Sequence, residues 1–95
     1  MYKSFELDIK DYGGVYHLRG EKGILQTVWL STDSTDTVRV SVITDGYNEI
    51  ICDLAVSDDT LKIPISIAVN SKSLRVVVKT EKPVNTNLII TLDYA

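Results

Sequence analysis

The side chains best suited to chemistry are few, because the 95-residue chain contains one histidine, His17, and one cysteine, Cys52. A thiolate–imidazole pair needs its sulfur on an accessible, electropositive surface that lowers the thiol pKa. Cys52 instead lies in phase with Ile50 and Leu54, which predicts a buried strand face beside Val38. His17 falls between Tyr16 and Leu18 in a short apolar segment and reads as structural. A serine nucleophile would need a strained elbow of the Gly-x-Ser-x-Gly type near that histidine, and the chain has none. One histidine and one cysteine cannot close a four-ligand zinc site without recruiting scattered carboxylates. Asp33 and Asp36, or Asp58 and Asp59, offer oxygen ligands for calcium, but neither pair follows the EF-hand pattern and turn formation already accounts for them. Gly13-Gly14 and the Gly20 to Gly23 stretch lack both the spacing and the following helix of a phosphate loop. The expectation is of no catalytic residue, no cofactor and no metal.

Aromatic rings are the other candidates, since exposed ones serve as stacking platforms for sugars. Trp29 lies inside an apolar strand and is expected in the core. Tyr12 and Tyr16, with Tyr47, fall at or near loops and are the candidates for a ligand platform.

These residues must be positioned by strands. Apolar residues recur at every second position and are mostly β-branched, the pattern of half-buried strands, and no helix is required anywhere. Phe5, Leu7 and Ile9 define a first strand ending at the turn signal Asp11-Tyr12-Gly13-Gly14. Val15 to Leu18, Ile24 to Leu30, and Val38 to Val42 follow, with polar or glycine-rich breaks between them. Asp45-Gly46 is a hairpin signal, and phase favours a three-residue loop 44–46 that sets Val40 opposite Ile50, with Gly46 as a bulge residue. Leu61 to Val69 contains Pro64, which predicts an edge strand or interrupted pairing. Leu74 to Val78 and Leu88 to Tyr94 complete the set, joined by the long connection 81–87. The expected fold is all-β, a single antiparallel β-sandwich, jelly-roll or immunoglobulin-like, of seven to eight strands over residues 1–95.

Some apolar residues fall out of phase with that core. With Val38, Val40, Val42, Ile50, Cys52, Leu54, Val76 and Ile90 inward, Ile43, Ile51, Val77 and Ile89 point outward, and Tyr47 lies opposite Ile43. Were these strands neighbours, the outward set would form a hydrophobic patch of the kind that marks a partner interface.

Ten basic and thirteen acidic residues give a net charge of −3, spread evenly along the chain. Nucleic acid and membrane surfaces are disfavoured as partners, since both require a basic stripe. The absence of a disulfide, of a signal-like apolar leader and of any bilayer-length apolar run leads to the expectation of a cytoplasmic protein.

The Ser/Thr/Asp-rich connections, and the closing segment from Ser73-Leu74-Arg75-Val76-Val77-Val78 to Leu88-Ile89-Ile90-Thr91-Leu92-Asp93-Tyr94, resemble the small β-sandwich accessory proteins of tailed bacteriophages. Such proteins decorate capsids or form head-fibre or tail parts. The resemblance implies a non-enzymatic virion component, assembled in the bacterial host cytoplasm, that binds capsid or tail subunits or copies of itself. The alternative expectation is a carbohydrate- or receptor-binding module.

Overall fold

Alternating β-branched residues pleat the chain into six strands, β1 (Tyr2–Arg19), β2 (Gly23–Thr32), β3 (Val38–Thr44), β4 (Glu49–Val56), β5 (Asp59–Val69) and β6 (Ser73–Tyr94). The computed structural model describes residues 1–44 and 49–95. Every pairing is antiparallel. The strands run in the order β4-β3-β6-β2-β5, with β1 on the other side of β6.

β6 is the axis. Residues 73–80 pair with β3 on one side and with residues 13–19 of β1 on the other. Residues 84–94 pair with residues 2–11 of β1 and, on the opposite side, with β2. Two four-stranded sets result, β4-β3-β6-β1 and β5-β2-β6-β1, which share the two long strands. Their inward side chains, Val38, Val40, Val42 and Val76 from one set and Val28, Leu30, Ile90 and Leu92 from the other, are fully buried in one cluster. Each such side chain stabilises the fold by roughly 1.5–3 kcal/mol relative to exposure.

Among the described residues the strand count is six rather than the expected seven to eight, because two expected breaks do not reverse the chain. Asp11 and Gly13 both have positive φ, 56° and 92°, but they bend β1 where its register against β6 shifts, and the strand continues. The expected connection 81–87 is likewise part of β6; its register jumps from Lys79 to Val84 opposite Tyr12, so the chain bows outward there and Pro83 has no ladder partner in β1. Both long strands bend together, and that joint bend lets one pair of strands serve both sets.

The β3–β4 register also differs from the expected one. Val40 faces Leu54 and Val42 faces Cys52, and Ile43 then faces Ile50, leaving Ile51 as an extra residue. This bulge puts Ile51 and Cys52 side by side in the core while Ile50 turns out to solvent. The expected loop conformation at Gly46 lies outside the described residues. Pro64 behaves as expected on both counts: β5 ends the strand order, and its register against β2 slips between Thr27 and Leu25.

Candidate functional site

On the outer side of β4-β3-β6-β1, side chains form cross-strand rows. One row is Asp53, Ser41, Val77 and Val15; the next is Ile50, Ile43, Arg75 and His17. Ile50 is directly opposite Ile43, and Val77 directly opposite Val15. Ile43 and Val77 are diagonal neighbours, roughly 7 to 8 Å apart in such pairs and within reach of each other's side chains. The four make a continuous apolar diagonal from β4 to β1, with Ile50 59% and Val15 56% exposed at its two ends.

Cations frame the diagonal. Arg39 and Lys79 are paired in the row above it, Arg75 shares its lower row, and Arg19 lies beyond His17 on β1. Among the described residues, Asp53 is the carboxylate that projects from these strands on this face: the Arg39 Nε–H donates to it at 3.1 Å, as does the Ser41 hydroxyl at 3.1 Å. These two hydrogen bonds, the Arg39 one first, hold the Asp53 carboxyl below its ordinary range. A cleft of about 540 Å³ at one end of the face is lined by Arg39, Lys79 and Lys82 together with Asp36 and Glu81.

The outer side of β5-β2-β6-β1 has the opposite character. Glu6, Asp8 and Asp93 project from its strands, with Tyr2, Trp29 and Ile89 among hydroxyl and amide side chains. Ser4 and Thr91 share a hydrogen bond of 2.9 Å, and the Asn87 amide donates to Glu6 at 3.0 Å. A second cleft, about 420 Å³, is lined by Glu6, Asp33, Asp58, Asp59 and Ile89 among other residues and has no basic side chain in its wall.

Of the residues singled out from the sequence, Ile43 and Val77 lie on one face as expected. Ile89 is exposed but belongs to the opposite, acidic face, and Ile51 is buried at 9% exposure, a correction caused by the β4 bulge. Tyr47 lies outside the described residues. Tyr12 is 61% exposed on the β1 bend, whereas Tyr16 packs against the core and its hydroxyl donates to the Asp8 carbonyl at 3.3 Å. Burial, then the Asp8 charge, raises the Tyr16 pKa. These two tyrosines do not share an open platform. Trp29, expected in the core, is half-exposed, with the Lys62 ammonium 5.2 Å from its ring centre.

Val15 and Ile50 were not among the expected interface residues. Val15 was accessible to sequence reasoning, since Tyr16 and Leu18 point inward and leave it outward. Ile50 was not, because only the bulge turns it out.

Cys52 is buried and its thiol is pushed up to about 11, chiefly by loss of solvation. His17, expected to be structural, is exposed on the outer face opposite Arg75, so the sheet separates it from Cys52. Among the described residues, no three histidine, cysteine or acidic side chains are grouped to hold a metal ion.

No protein-family model matches the chain, and no curated protein matches it. Solved structures do. The Yersinia pseudotuberculosis-derived mitogen superposes with a TM-score of 0.56 at 14% identity, over 100% of this chain and 86% of that one. A Bacillus endospore appendage structure, from a family of disulfide-linked pili, gives 0.58 at 11% identity, covering 100% and 87%. PirA gives 0.58 at 13% identity, covering 97% and 93%. At identities this low the superpositions show a shared all-β architecture alone.

Proposed function

We propose that this chain is a non-enzymatic interaction module, a jelly-roll sandwich that docks on protein subunits through the outer face of β4-β3-β6-β1. The observation that carries this reading is the apolar diagonal Ile50, Ile43, Val77 and Val15. Isolated exposed apolar residues are ordinary, but four at neighbouring ladder positions across four strands form a patch, and a patch rimmed by charge is the usual build of a protein interface. The strand order, with two bent strands shared by two four-stranded sets, supports the jelly-roll assignment over an immunoglobulin-like one. A catalytic role finds no support in the placement of Cys52 and His17.

A virion accessory component is one setting for such a module, binding a repeated capsid or tail lattice on which modest contacts per copy suffice. Co-elution in size-exclusion chromatography with the products of the neighbouring genes tests the reading. Wild-type protein should co-elute with one of them, and Ile43→Asp and Val77→Asp should elute alone with unchanged circular dichroism. Retained binding by both variants would overturn it. The carbohydrate- or receptor-binding alternative loses one of its expected platform residues, since Tyr16 packs against the core. A glycan-array signal that disappears on Tyr12→Ala would revive it.

A further inference from the structure

We infer that the surface this face fits is the opposite, acidic face of a second copy of the chain, so that copies associate head to tail. The inference rests on the docking role proposed above and names the occupant.

Charge chooses the orientation. Among the described residues, the docking face carries Arg19, Arg39, Arg75 and Lys79 against Asp53, with Lys82 against Asp36 and Glu81 at one end, an excess of two positive charges. The opposite face carries Glu6, Asp8 and Asp93, with Asp33, Asp58 and Asp59 at one end, against Lys10 and Lys62, an excess of four negative charges. Two docking faces set against each other would oppose like charges, a costly arrangement, whereas docking face against acidic face matches sign to sign. The apolar parts match too: Ile89, 43% exposed, and Tyr2, 68% exposed, offer the acidic face's own contacts to the diagonal.

Geometry then sets the outcome. The two faces lie on opposite sides of the sandwich, so a contact that uses one face of a copy leaves its other face open. Such a heterologous contact extends into a row of copies unless a rotation closes it. Four strands ~4.8 Å apart and about seven residues long span roughly 19 by 23 Å, which buries under about 1,000 Å² in total, at the weak end for a specific interface. Association should therefore depend on concentration and on salt.

Sedimentation velocity at ~0.01 M and ~1 M salt, where the Debye length is about 30 and 3 Å, reads this directly. Wild-type protein should form oligomers at low salt that dissociate at high salt. Val77→Asp blocks the docking face and Ile89→Arg the acidic face; each alone should be monomeric. Their equimolar mixture should form a complex of two copies and no larger, because each variant keeps the face the other lacks. Lys79→Glu replaces Val77→Asp should that variant fail to fold. A monomeric wild type at low salt overturns the inference, as does a mixture that stays monomeric. So does a dimer formed by both single variants, which would indicate symmetric pairing, for instance along the β4 edge. A wild type that remains monomeric yet still binds a neighbouring gene's product through Ile43 and Val77 sinks this inference and leaves the docking role standing.

Discussion

Cys52 shows how burial changes a single group. Its neutral thiol is favoured in the fold, since desolvation, and secondarily the Asp53 charge, raises its pKa from 9.0 to about 11. Between those values the unfolded chain has released a proton that the folded chain retains, so stability is intact below pH 9 and falls as pH rises toward 11. The loss should reach roughly 2 kcal/mol. Urea titrations at pH 8 and pH 11 should show a steeper decline for wild type than for Cys52→Ala, and equal declines would contradict the assignment. Gly13 is a second residue on which much depends. At φ 92° its backbone occupies the left-handed region, and an added Cβ would collide with the Val78 carbonyl across the ladder. Gly13→Ala should cost roughly 3 kcal/mol or more, because β1 and β6 must separate where they bend together. Gly23 also has positive φ, at 140°, but faces open space, so Gly23→Ala should cost only about 1 kcal/mol of backbone strain. Thermal melts of the two variants side by side test the distinction.

At the level of elements, position in the sheet decides what a strand contributes. β6 is flanked on both sides over residues 74–79 and 88–93, and Ile90 is fully buried. β5 is an edge, where Ile63, in the same alternating pattern, is only half-buried. Ile90→Ala should therefore destabilise by about 3–4 kcal/mol and Ile63→Ala by about 1 kcal/mol, measured by denaturant unfolding. Equal losses would mean that β5 is as well covered as the centre. The same positions explain how much was legible from sequence. Period-two alternation correctly located the inward residues of β1, β3 and β6, and Pro64 correctly marked an edge. The Asp11 to Gly14 signal was misread because positive-φ residues build a bulge as readily as a reversal, and which one forms depends on whether a long partner strand bends alongside. The bulge at Ile51 could not be read at all. It changes phase within an unbroken apolar run, and one extra residue moved Ile50 and Ile51 to opposite sides from those expected. The candidate face was accordingly half legible: Ile43 and Val77 were in phase, and their neighbours on β4 and β1 were set by register.

For the whole molecule, the topology joins the beginning of the chain to its end. Tyr2 pairs with Asp93, and the β1–β6 ladder runs from there to Arg19 and Ser73. The Met1 ammonium donates to the Tyr94 carbonyl at 2.7 Å, and Lys3 reaches Glu21 at 3.0 Å, so the first residues are tied into the structure on two sides. The strand that unites both four-stranded sets thus cannot acquire its β1 partner without closing a loop of at least residues 20–72, more than half of the chain. Closure of this kind precedes the contacts that reward it, and chains dominated by such pairings fold in milliseconds to seconds. A circular permutant isolates this step. Joining residues 95 and 1 by a short Gly/Ser linker and opening the chain between Asn70 and Ser71 turns the β6–β1 pairing into a local hairpin, with every other ladder unchanged. Refolding followed by Trp29 fluorescence in stopped flow should then be faster by about tenfold or more, with the unfolding rate little altered, if that pairing forms in the transition state. An unchanged refolding rate would place the rate-limiting contacts elsewhere, in the β3–β4 ladder between neighbours in sequence or in the β2–β5 ladder that closes over it.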